Sequence, residues 1–255
     1  MTHERERTAD PVRVAAIGDL HCARSSGGEI APLLGEISRT ANVLVMCGDL
    51  TDHGLPEEAT VLAGEIRAGL SVPAVAVLGN HDHESDRQAE LRDILGQAGV
   101  VILDGEAHEA CGIGFAGVKG FAGGFGERAL GPWGEKAIKR FVREAVDEAL
   151  KLEAALARLP EGPRVVLMHY APVQDTVEGE PPVIFPFLGS SRLEEPINRY
   201  HVAAVFHGHA HQGQPEGRTS AGVPVFNVCL PLLRERFPER PPFRILELPR
   251  QETGR

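Results

Sequence analysis

The amino-acid sequence predicts an α/β fold that contains a parallel β-sheet. Between residues 12 and 103, short runs of Val, Ile, Leu and Ala alternate with longer segments in which apolar residues recur at helical spacing. This alternation is typical of parallel strands joined by crossover helices. The segment 43–47 is apolar throughout, as expected of a strand covered on both faces, and it ends at Gly48 and Asp49. The sequence therefore favours a buried parallel sheet.

The individual elements follow from apolar spacing and from the positions of Gly and Pro. Strands are expected at residues 12–17, 43–47, 72–78, 100–103, 164–169 and 202–206. Helices are expected at residues 29–40, 56–70, 86–97, 135–159 and 191–200. The second of these helices begins with Pro56, at a position where a missing N–H costs little. Two late strands, 223–228 and 243–248, are expected to join a second sheet.

The segment 111–126 is dense in glycine and predicts one or two strands followed by a mobile loop. No helix with a lysine and a hydroxyl residue follows it at the spacing of a P-loop, which excludes a phosphate-cradling loop of that kind. A loop at the mouth of a functional site is the alternative.

Composition predicts one domain over residues 1–255, with residues 1–11 as a loose tail. Of the 255 residues, 42% are hydrophobic and 24% are charged, as in ordinary globular proteins. The formal net charge of −10 disfavours binding to long nucleic acids, which needs clustered Lys and Arg. The polar N-terminus lacks the apolar core of a signal peptide, and no apolar run could span a bilayer. We therefore expect a cytoplasmic protein without a membrane partner.

Side chains that can bind metal follow five of the predicted strands. In chain order they are Asp19 with His21, Asp49, Asn80 with His81 and Asp82, His169, and His207 with His209 and His211. One such residue at a strand end is usually a hydrogen-bonded loop residue. Five sets in succession, all with oxygen or imidazole donors, indicate convergence on metal, with coincidence as the alternative.

These residues also form an ordered set of motifs. The motifs are Asp19-x-His21, Gly48-Asp49 with Asp52, Gly79-Asn80-His81-Asp82, an isolated His169, and Gly208-His209-Ala210-His211. The set resembles that of the calcineurin-like metallophosphoesterases and extends over most of the chain. Each motif alone is weak, but five in this order are specific. The resemblance implies a four-layer αββα sandwich with a dinuclear metal site at the sheet edges.

The resemblance also implies the ligands of two divalent metal ions. The first ion would be held by Asp19, His21, Asp49 and His211. The second would be held by Asp49, Asn80, His169 and His209, with the Asp49 carboxylate bridging the two ions. Nitrogen and oxygen donors without thiolate suit Mn²⁺, Fe²⁺ or Zn²⁺. A hydroxide between the two ions would attack the phosphorus of the substrate.

His81 and Asp52 are the catalytic residues that the resemblance implies. His81 would assist the leaving group, either by donating a proton or by stabilising negative charge. Asp52 would orient His81 and keep it protonated. Asp82 and His207 are expected to orient the ligands through hydrogen bonds.

No metal-binding or catalytic role is expected for the other histidines beside these motifs or for the cysteines. His53 and His83 are expected at the surface, with contact to substrate as the alternative. The sequence has four cysteines without CxxC spacing, which favours buried reduced thiols: Cys22, Cys47, Cys111 and Cys229. Cys22 follows His21 directly, so contact with substrate or sensitivity to oxidation is the alternative for that residue.

The departures from the family pattern narrow the expected activity. Family members that dephosphorylate proteins usually have Arg and Glu where this chain has His53 and Asp82. The forms Gly-Asp-Leu-Thr-Asp-His-Gly and Gly-Asn-His-Asp are more similar to the bacterial class III cyclic-nucleotide phosphodiesterase branch. We therefore expect hydrolysis of small phosphodiesters or phosphomonoesters. The alternatives are a protein phosphatase or nuclease of the same family, or a non-catalytic, metal-stabilised interaction scaffold.

The segment 171–190 is a long Pro-rich connection that begins just after His169. Long ordered connections of this kind are often functional. The segment contains four apolar residues that are expected to be shielded from water: Ile184, Phe185, Phe187 and Leu188. Three alternatives stay open, namely a wall of the substrate pocket, a packed surface loop, and an interface in a homodimer.

Overall fold

The computed structural model describes residues 10–250. Residues 1–9 of the predicted tail lie outside this range. The strands are β1 Val12–Ile17, β2 Val43–Cys47, β3 Ala74–Val77, β4 Val100–Ile102, β5 Glu106–Ala110, β6 Ile113–Gly117, β7 Arg164–Leu167, β8 Ala204–His207, β9 Glu216–Arg218, β10 Pro224–Asn227 and β11 Arg244–Leu248. The α-helices are α1 Ala31–Thr40, α2 Pro56–Gly69, α3 Gln88–Gln97, α4 Lys136–Arg158, α5 Phe185–Leu188, α6 Glu194–Arg199 and α7 Leu230–Arg236. None of these helices is long and apolar enough to cross a membrane.

Two β-sheets organise these elements. The first has the strand order β11-β1-β2-β3-β4, and the second has the order β5-β6-β7-β8-β10-β9. Strands β1 to β4 are parallel, as predicted, with Val14 opposite Val43 and Leu44 opposite Ala74. Strands β6, β7, β8 and β10 are parallel as well. Because parallel strands end on the same side, each sheet has one edge that collects the residues after its strands.

Three buried clusters show how the layers stack. One face of the first sheet, which includes Ile17 and Met46, packs against α1, α2 and α3. The other face, which includes Val45, packs against Phe115 and its neighbours in the second sheet. The far face of the second sheet packs against α4 and α6. The order helix, sheet, sheet, helix confirms the predicted αββα sandwich. Strand β2 is apolar throughout because successive side chains enter different buried layers.

The last strand corrects one prediction. The sequence predicts that residues 243–248 join the second sheet, but β11 pairs antiparallel with β1, with Val12 opposite Leu248. The helix α7 lies between β10 and β11 and takes the chain from the second sheet to the first. Without β11, the backbone groups of β1 would form an unpaired edge. Apolar periodicity identifies this strand correctly but carries no information about which sheet it completes.

Short elements and element boundaries account for the other differences. Strands β5 and β9 and helix α7 have no predicted counterpart, because β5 is polar and half-exposed and β9 is only three residues long. The predicted helix 191–200 divides into a 3-10 turn, Ser191–Leu193, and α6. Helices α1 and α3 begin two residues after the predicted positions.

The segment 171–190 is folded into helical turns rather than extended. It contains the 3-10 turns Gln174–Val177 and Pro182–Ile184 and the helix α5. A small buried cluster anchors it, formed by Ala171, Val177, Leu188 and Ala210. Ile184 and Phe185 pack partly against this cluster, whereas Phe187 is 59% exposed. The segment is therefore a packed surface loop in which two large apolar side chains, Val183 and Phe187, remain exposed.

Candidate metal centre

The residues predicted for the site lie at the carboxyl ends of five parallel strands. Asp19 and His21 follow β1, Asp49 and Asp52 follow β2, and Asn80 and His81 follow β3. His169 follows β7, and His209 and His211 follow β8. In the described part of the chain, three groups of side chains have ligand atoms within 4.8 Å of one another, and two of them contain members of the two predicted ligand sets: Asp19, His21 and His211 in one, and Asp49, His169 and His209 in the other. The third group is His21, Asp52 and His81. The structure thus brings together side chains from both sheets that are up to 192 residues apart in the chain.

The first group is built around the buried carboxylate of Asp19. Both of its oxygens accept the main-chain N–H of His209, at 3.0 and 3.1 Å, and Oδ1 lies 3.1 Å from His211 Nε2. The ring centroid of His21 lies 5.5 Å from that of His211. His21 Nε2 is buried and has no hydrogen-bond partner within residues 10–250. An unpaired buried nitrogen is costly, and a bound cation would satisfy it.

The second group contains amide, carboxylate and imidazole donors. His169 Nδ1 donates to the main-chain oxygen of Cys47 at 3.0 Å, which leaves Nε2 to face the site. That Nε2 lies 2.8 Å from Asn80 Oδ1 and 3.3 Å from Asp49 Oδ1. The ring centroid of His209 lies 4.7 Å from that of His169. These donors form a compact set with the nitrogen and oxygen chemistry of a divalent metal site.

Asp49 lies between the two groups. Its Oδ1 faces His169 and also accepts the main-chain N–H of His81 at 2.9 Å. Its Oδ2 lies 4.0 Å from His21 Nε2, which belongs to the first group. One carboxylate oxygen therefore faces each donor group, which is the arrangement that a bridging ligand needs.

Glycines allow the ligands to approach the backbone. A Cβ added to Gly79 would lie 2.1 Å from Asp49 Oδ1, and one added to Gly208 would lie 2.2 Å from Asp19 Oδ2. A Cβ on Gly48 would lie 2.5 Å from the His169 ring. These separations are too short for any side chain, so each of the three motifs needs glycine for close packing around a ligand.

Four ligand candidates have left-handed backbone conformations. Their φ angles are 56° for Asp19, 43° for His21, 48° for Asp49 and 70° for His209. Each such residue costs of the order of 1–3 kcal/mol and persists only because its surroundings impose the conformation. Within residues 10–250, seven non-glycine residues have positive φ, so more than half of them belong to this site. At these four residues the backbone adopts an unfavourable conformation that places the donor atoms in the site.

Burial and neighbouring charges shift the pKa values of His169 and His209 in opposite directions. Burial alone would lower the pKa of His169, but the adjacent Asp49 carboxylate raises this pKa to about 9. Burial also tends to raise the pKa of Asp49, yet His169 holds it well below its usual range. Burial and the charge of His169 lower the pKa of His209 to about 4, so His209 is neutral near pH 7. His169 must therefore release a proton before Nε2 can bind a metal.

The donor atoms fit two divalent cations. His21 Nε2 has no partner, and Gly48, Gly79 and Gly208 leave room for the ligand side chains. Neither donor group contains a thiolate, which suits ions of borderline hardness. Asn80 contributes a neutral carbonyl oxygen, which adds no negative charge to the centre. The donor types thus suit divalent metal ions, and the assignment of each residue to one ion stays a prediction.

His81 lies beside both donor groups, and its orientation differs in detail from the expectation. Its Nδ1 donates to the main-chain oxygen of Asp52 at 2.6 Å, while Nε2 lies 4.0 Å from Asp49 Oδ2. The Asp52 carboxylate instead faces His21 Nδ1 at 3.6 Å and His53 Nε2 at 3.3 Å. The resemblance implies that Asp52 orients His81; the hydrogen bond to His81 comes from the Asp52 main chain, and an oxygen of the Asp52 carboxylate lies within 4.8 Å of a His81 ring nitrogen. The Asp52 side chain is therefore dispensable for that hydrogen bond.

Asp82 connects two of the loops that carry ligands. Its Oδ1 accepts the N–H and the hydroxyl of Thr51 at 2.8 and 2.6 Å. Its Oδ2 accepts the main-chain N–H groups of Leu50 at 3.1 Å and Gly79 at 2.8 Å. Asp82 thereby positions the loops after β2 and β3 through their backbones rather than through ligand side chains.

His207 has a comparable position beneath the loop after β8. Its Nδ1 donates to the main-chain oxygen of Gly208 at 2.8 Å, and its Nε2 lies 2.8 Å from Thr176 Oγ1. Burial lowers the pKa of His207 to about 4, so the ring is neutral near pH 7. Its hydrogen bonds shape the loop between β8 and His209 and join it to the 171–190 segment.

Among the residues beside the motifs, Cys22 and His53 have the surroundings that the sequence predicts, and His83 does not. Cys22 is fully buried, and burial raises the pKa of its thiol to about 12, so it remains a protonated, enclosed thiol. His53 is exposed, as predicted. His83 is half-buried and lines a cleft beside the metal centre.

This cleft also contains residues that sequence reasoning missed. It measures about 440 Å³, and its wall includes Asn80, His81, His83, Lys119, Phe121 and Tyr170. The apolar run 113–118 ends in Lys119, which is the same strand-end pattern that identified the other site residues. The high glycine content after Lys119 obscured that signal.

Comparisons with known proteins agree with this geometry. A family model described as calcineurin-like phosphoesterase matches residues 12–213. The chain is similar to a structure described as Phosphopantetheinyl Hydrolase (PptH) from Mycobacterium tuberculosis, with 18% identity, a TM-score of 0.66, and coverage of 94% of this chain and 96% of that one. It is also similar to TT1561 of Thermus thermophilus, with 14% identity, a TM-score of 0.50, and coverage of 93% and 99%. At these identities the two structures show a shared fold only. No curated protein sequence matches the chain.

Proposed function

The chain belongs to the calcineurin-like phosphoesterase family, and from this premise we propose that it is a dinuclear metal-dependent phosphohydrolase of small phosphodiesters or phosphomonoesters. Membership supports a metal-dependent phosphoesterase in general. The finer proposal depends on one observation, which is that the two oxygens of Asp49 face two separate donor groups.

The side chains divide between the two ions as follows. Asp19, His21 and His211 would hold one ion, Asn80, His169 and His209 would hold the other, and Asp49 would be shared. When bound, such a pair of ions supplies an activated water and neutralises charge on the phosphoryl oxygens. Mn²⁺, Fe²⁺ and Zn²⁺ all suit these donors.

His81 would assist departure of the leaving group. Its Nδ1 is engaged by the main-chain oxygen of Asp52, so Nε2 is the atom that can deliver a proton to the departing oxygen. The ring centroid of His21 lies 4.6 Å away, which places His81 beside the first donor group. Fixing the ring in this way provides orientation without using the Asp52 carboxylate.

The substrate class is supported by sequence features and by the shape of the site. The cleft of about 440 Å³ beside Asn80 and His81 suits a small molecule better than an extended macromolecule. The positions of His53 and Asp82 differ from the usual protein-phosphatase pattern, and the motif forms favour the class III cyclic-nucleotide phosphodiesterase branch. One structural neighbour is described as a phosphopantetheinyl hydrolase, which makes phosphopantetheinyl esters a rational addition to any substrate screen.

A screen of the metal-loaded protein tests this proposal. The panel would contain aryl phosphomonoesters and diesters, cyclic nucleotides, a phosphopantetheinyl ester, a phosphopeptide and single-stranded DNA, each assayed with Mn²⁺ and with chelator. We expect metal-dependent turnover of at least one small ester and none of the DNA. Two bound metals without turnover of any substrate would favour the scaffold alternative, and a preference for the phosphopeptide would favour a protein phosphatase.

A further inference from the structure

Lys119 lies in the cleft beside the metal centre and has an uncommon environment. Its main-chain oxygen accepts the N–H groups of His169 at 3.0 Å and Tyr170 at 3.1 Å, which fixes its backbone to the strand end that carries a ligand. Its Nζ lies 4.9 Å from the centroid of the Phe121 ring and 5.2 Å from that of Tyr170. The ammonium group therefore rests between two aromatic rings, close to the proposed ligands.

The ammonium group of Lys119 has no carboxylate partner. Within residues 10–250, its only hydrogen bond goes to the main-chain oxygen of Gly120 at 2.8 Å, and no carboxylate lies within salt-bridge distance. The buried carboxylate nearby, Glu148, is already engaged, because it accepts the Gly120 N–H at 2.8 Å and the Lys151 ammonium at 2.7 Å. A lysine has three N–H donors, so two donors of Lys119 have no protein acceptor in the described part of the chain.

The two acidic residues of the cleft do not occupy this position. Glu84 lies 3.3 Å from His53 Nδ1 and 3.9 Å from His81 Nδ1, which places its charge beside the histidines. Glu144 is exposed on α4, where water and salt screen its charge. Lys119 thus forms no ion pair with either acidic residue of the cleft, and its pKa is lowered by burial, which the charges of Glu148 and Glu144 offset only in part.

We infer that Lys119 binds a second anionic group of the substrate, so that the preferred substrate is a phosphate ester whose leaving group carries a further phosphate or carboxylate. This inference rests on the proposed function, because His81 marks the leaving-group side and lines the same cleft. Phe121 and Tyr170 would contact the apolar part that joins the two anionic groups. Lys119 is then a specificity residue that touches substrate away from the reacting phosphorus.

Ligands with an anionic group at each end (two-headed ligands) test this inference by binding alone, without any turnover. The probes are α,ω-alkane bisphosphonates with linkers of two to six carbons, ω-carboxyalkyl phosphonates, and alkyl monophosphonates of equal length, titrated calorimetrically into the Mn²⁺-loaded chain. We expect at least one two-headed ligand to bind about tenfold more tightly than its monophosphonate, as a charge-assisted hydrogen bond to Lys119 would give. Whether the better head is phosphonate or carboxylate identifies the second group.

Substitutions assign that advantage to Lys119. Lys119→Met keeps the aliphatic stem over the rings, and we expect it to remove the two-headed advantage while the monophosphonate affinity changes less than about twofold. Lys119→Arg should restore it. Lys136→Met is the matched control, since it removes the same charge from an exposed position of α4. Thermal melting shows whether each variant is folded, and Lys119→Gln replaces Lys119→Met if the latter is not.

Two results would overturn the inference. They are the lack of any two-headed advantage in the unmodified protein, and an advantage that survives Lys119→Met. Failure of the proposed function looks different, because it appears as a lack of turnover in the substrate screen whatever the binding series shows. Conversely, turnover of small esters with no two-headed advantage would retain the proposed function and discard the role of Lys119.

Discussion

The metal centre and the 171–190 segment face each other, and they are built in opposite ways. Donor residues such as Asp19, Asp49 and His169 are buried, and hydrogen bonds to backbone groups fix them. In the segment, Phe187 is 59% exposed, and its contact with the site is made by its main-chain oxygen, 3.2 Å from His209 Nε2. These donor side chains of the metal centre are thus held in place by hydrogen bonds, whereas the 171–190 segment exposes the side chain of Phe187 to solvent.

The two regions therefore have different roles, with the buried donors serving the chemical step and the exposed rim serving selectivity. A substitution among the buried donors removes an interaction that every substrate needs. A substitution of an exposed side chain at the rim affects only ligands that reach it. Substitutions in each region can test this division of roles.

The largest effect is expected for Asp49→Ala. Because the two carboxylate oxygens of Asp49 face different donor groups, we expect loss of both metals and a fall in turnover of roughly 10⁴-fold or more for all esters. Metal content by elemental analysis and kcat/KM on two unrelated substrates check this. Asp93→Ala, on the outer face of α3, is the control. Retention of two metals in Asp49→Ala would remove the bridging role.

His81→Ala should keep its metals and lose rate selectively. General acid assistance contributes about 10² to 10⁴ in rate, so we expect losses of this size for esters with poor alkoxide leaving groups and smaller losses for aryl esters. Asp52→Ala is an informative companion, because the main-chain oxygen that holds His81 would remain. Equal slowing of alkyl and aryl esters by His81→Ala would contradict proton donation.

Metal affinity should rise with pH across the range in which His169 loses its proton. The pKa of His169 in the metal-free fold, about 9, exceeds its ordinary value of 6.5. Its pairing with Asp49 therefore stabilises the metal-free fold fully below pH 6.5, and this contribution is lost as pH rises through 9. Because the metal must displace that proton, Mn²⁺ affinity should increase by up to about tenfold per pH unit between about pH 6.5 and 8.5. Calorimetry in buffers of different ionisation enthalpy should show proton release, and its absence would contradict the pairing.

The smallest effect is expected for Phe187→Ala. Because this side chain is exposed, we expect a change of less than about 1 kcal/mol in the free energy of unfolding. If Phe187 forms a pocket wall, kcat/KM should fall several-fold for the preferred substrate and stay constant for a small aryl ester. Phe185→Ala, which truncates a partly packed neighbour, is the control and should lower the melting temperature. An equal fall in kcat/KM for both substrates, together with a lowered melting temperature of Phe187→Ala, would contradict the pocket-wall hypothesis.

Much of the fold was predictable because its signals are local. The apolar runs of β1, β2, β3 and β7 identify strands, and the polar residue after each run identifies the sheet edge where the site forms. The αββα order came from the family resemblance, and the three buried clusters confirm it. Periodicity alone could not have supplied the stacking of the sheets.

What sequence could not supply depends on contacts between distant segments. The position of β11 beside β1 is a pairing choice that no local pattern encodes. The Asp52 contact with His81 runs through a backbone oxygen, which a motif cannot distinguish from a side-chain contact. The environment of Lys119 depends on Glu148 being engaged by Lys151, a pairing within α4 whose consequence appears only in three dimensions.

The pairing of β1 with β11 also has a consequence for the order of assembly. The first strand of the described chain and its last strand are neighbours in one sheet, with Val12 opposite Leu248. During synthesis on the ribosome, β1 must wait for all the intervening elements to emerge before this ladder can form. Native contacts so distant in sequence slow folding, because the loop entropy is lost before the contacts stabilise the chain. The strand that leads to Asp19 can thus gain its second neighbour only after β11 has been synthesised.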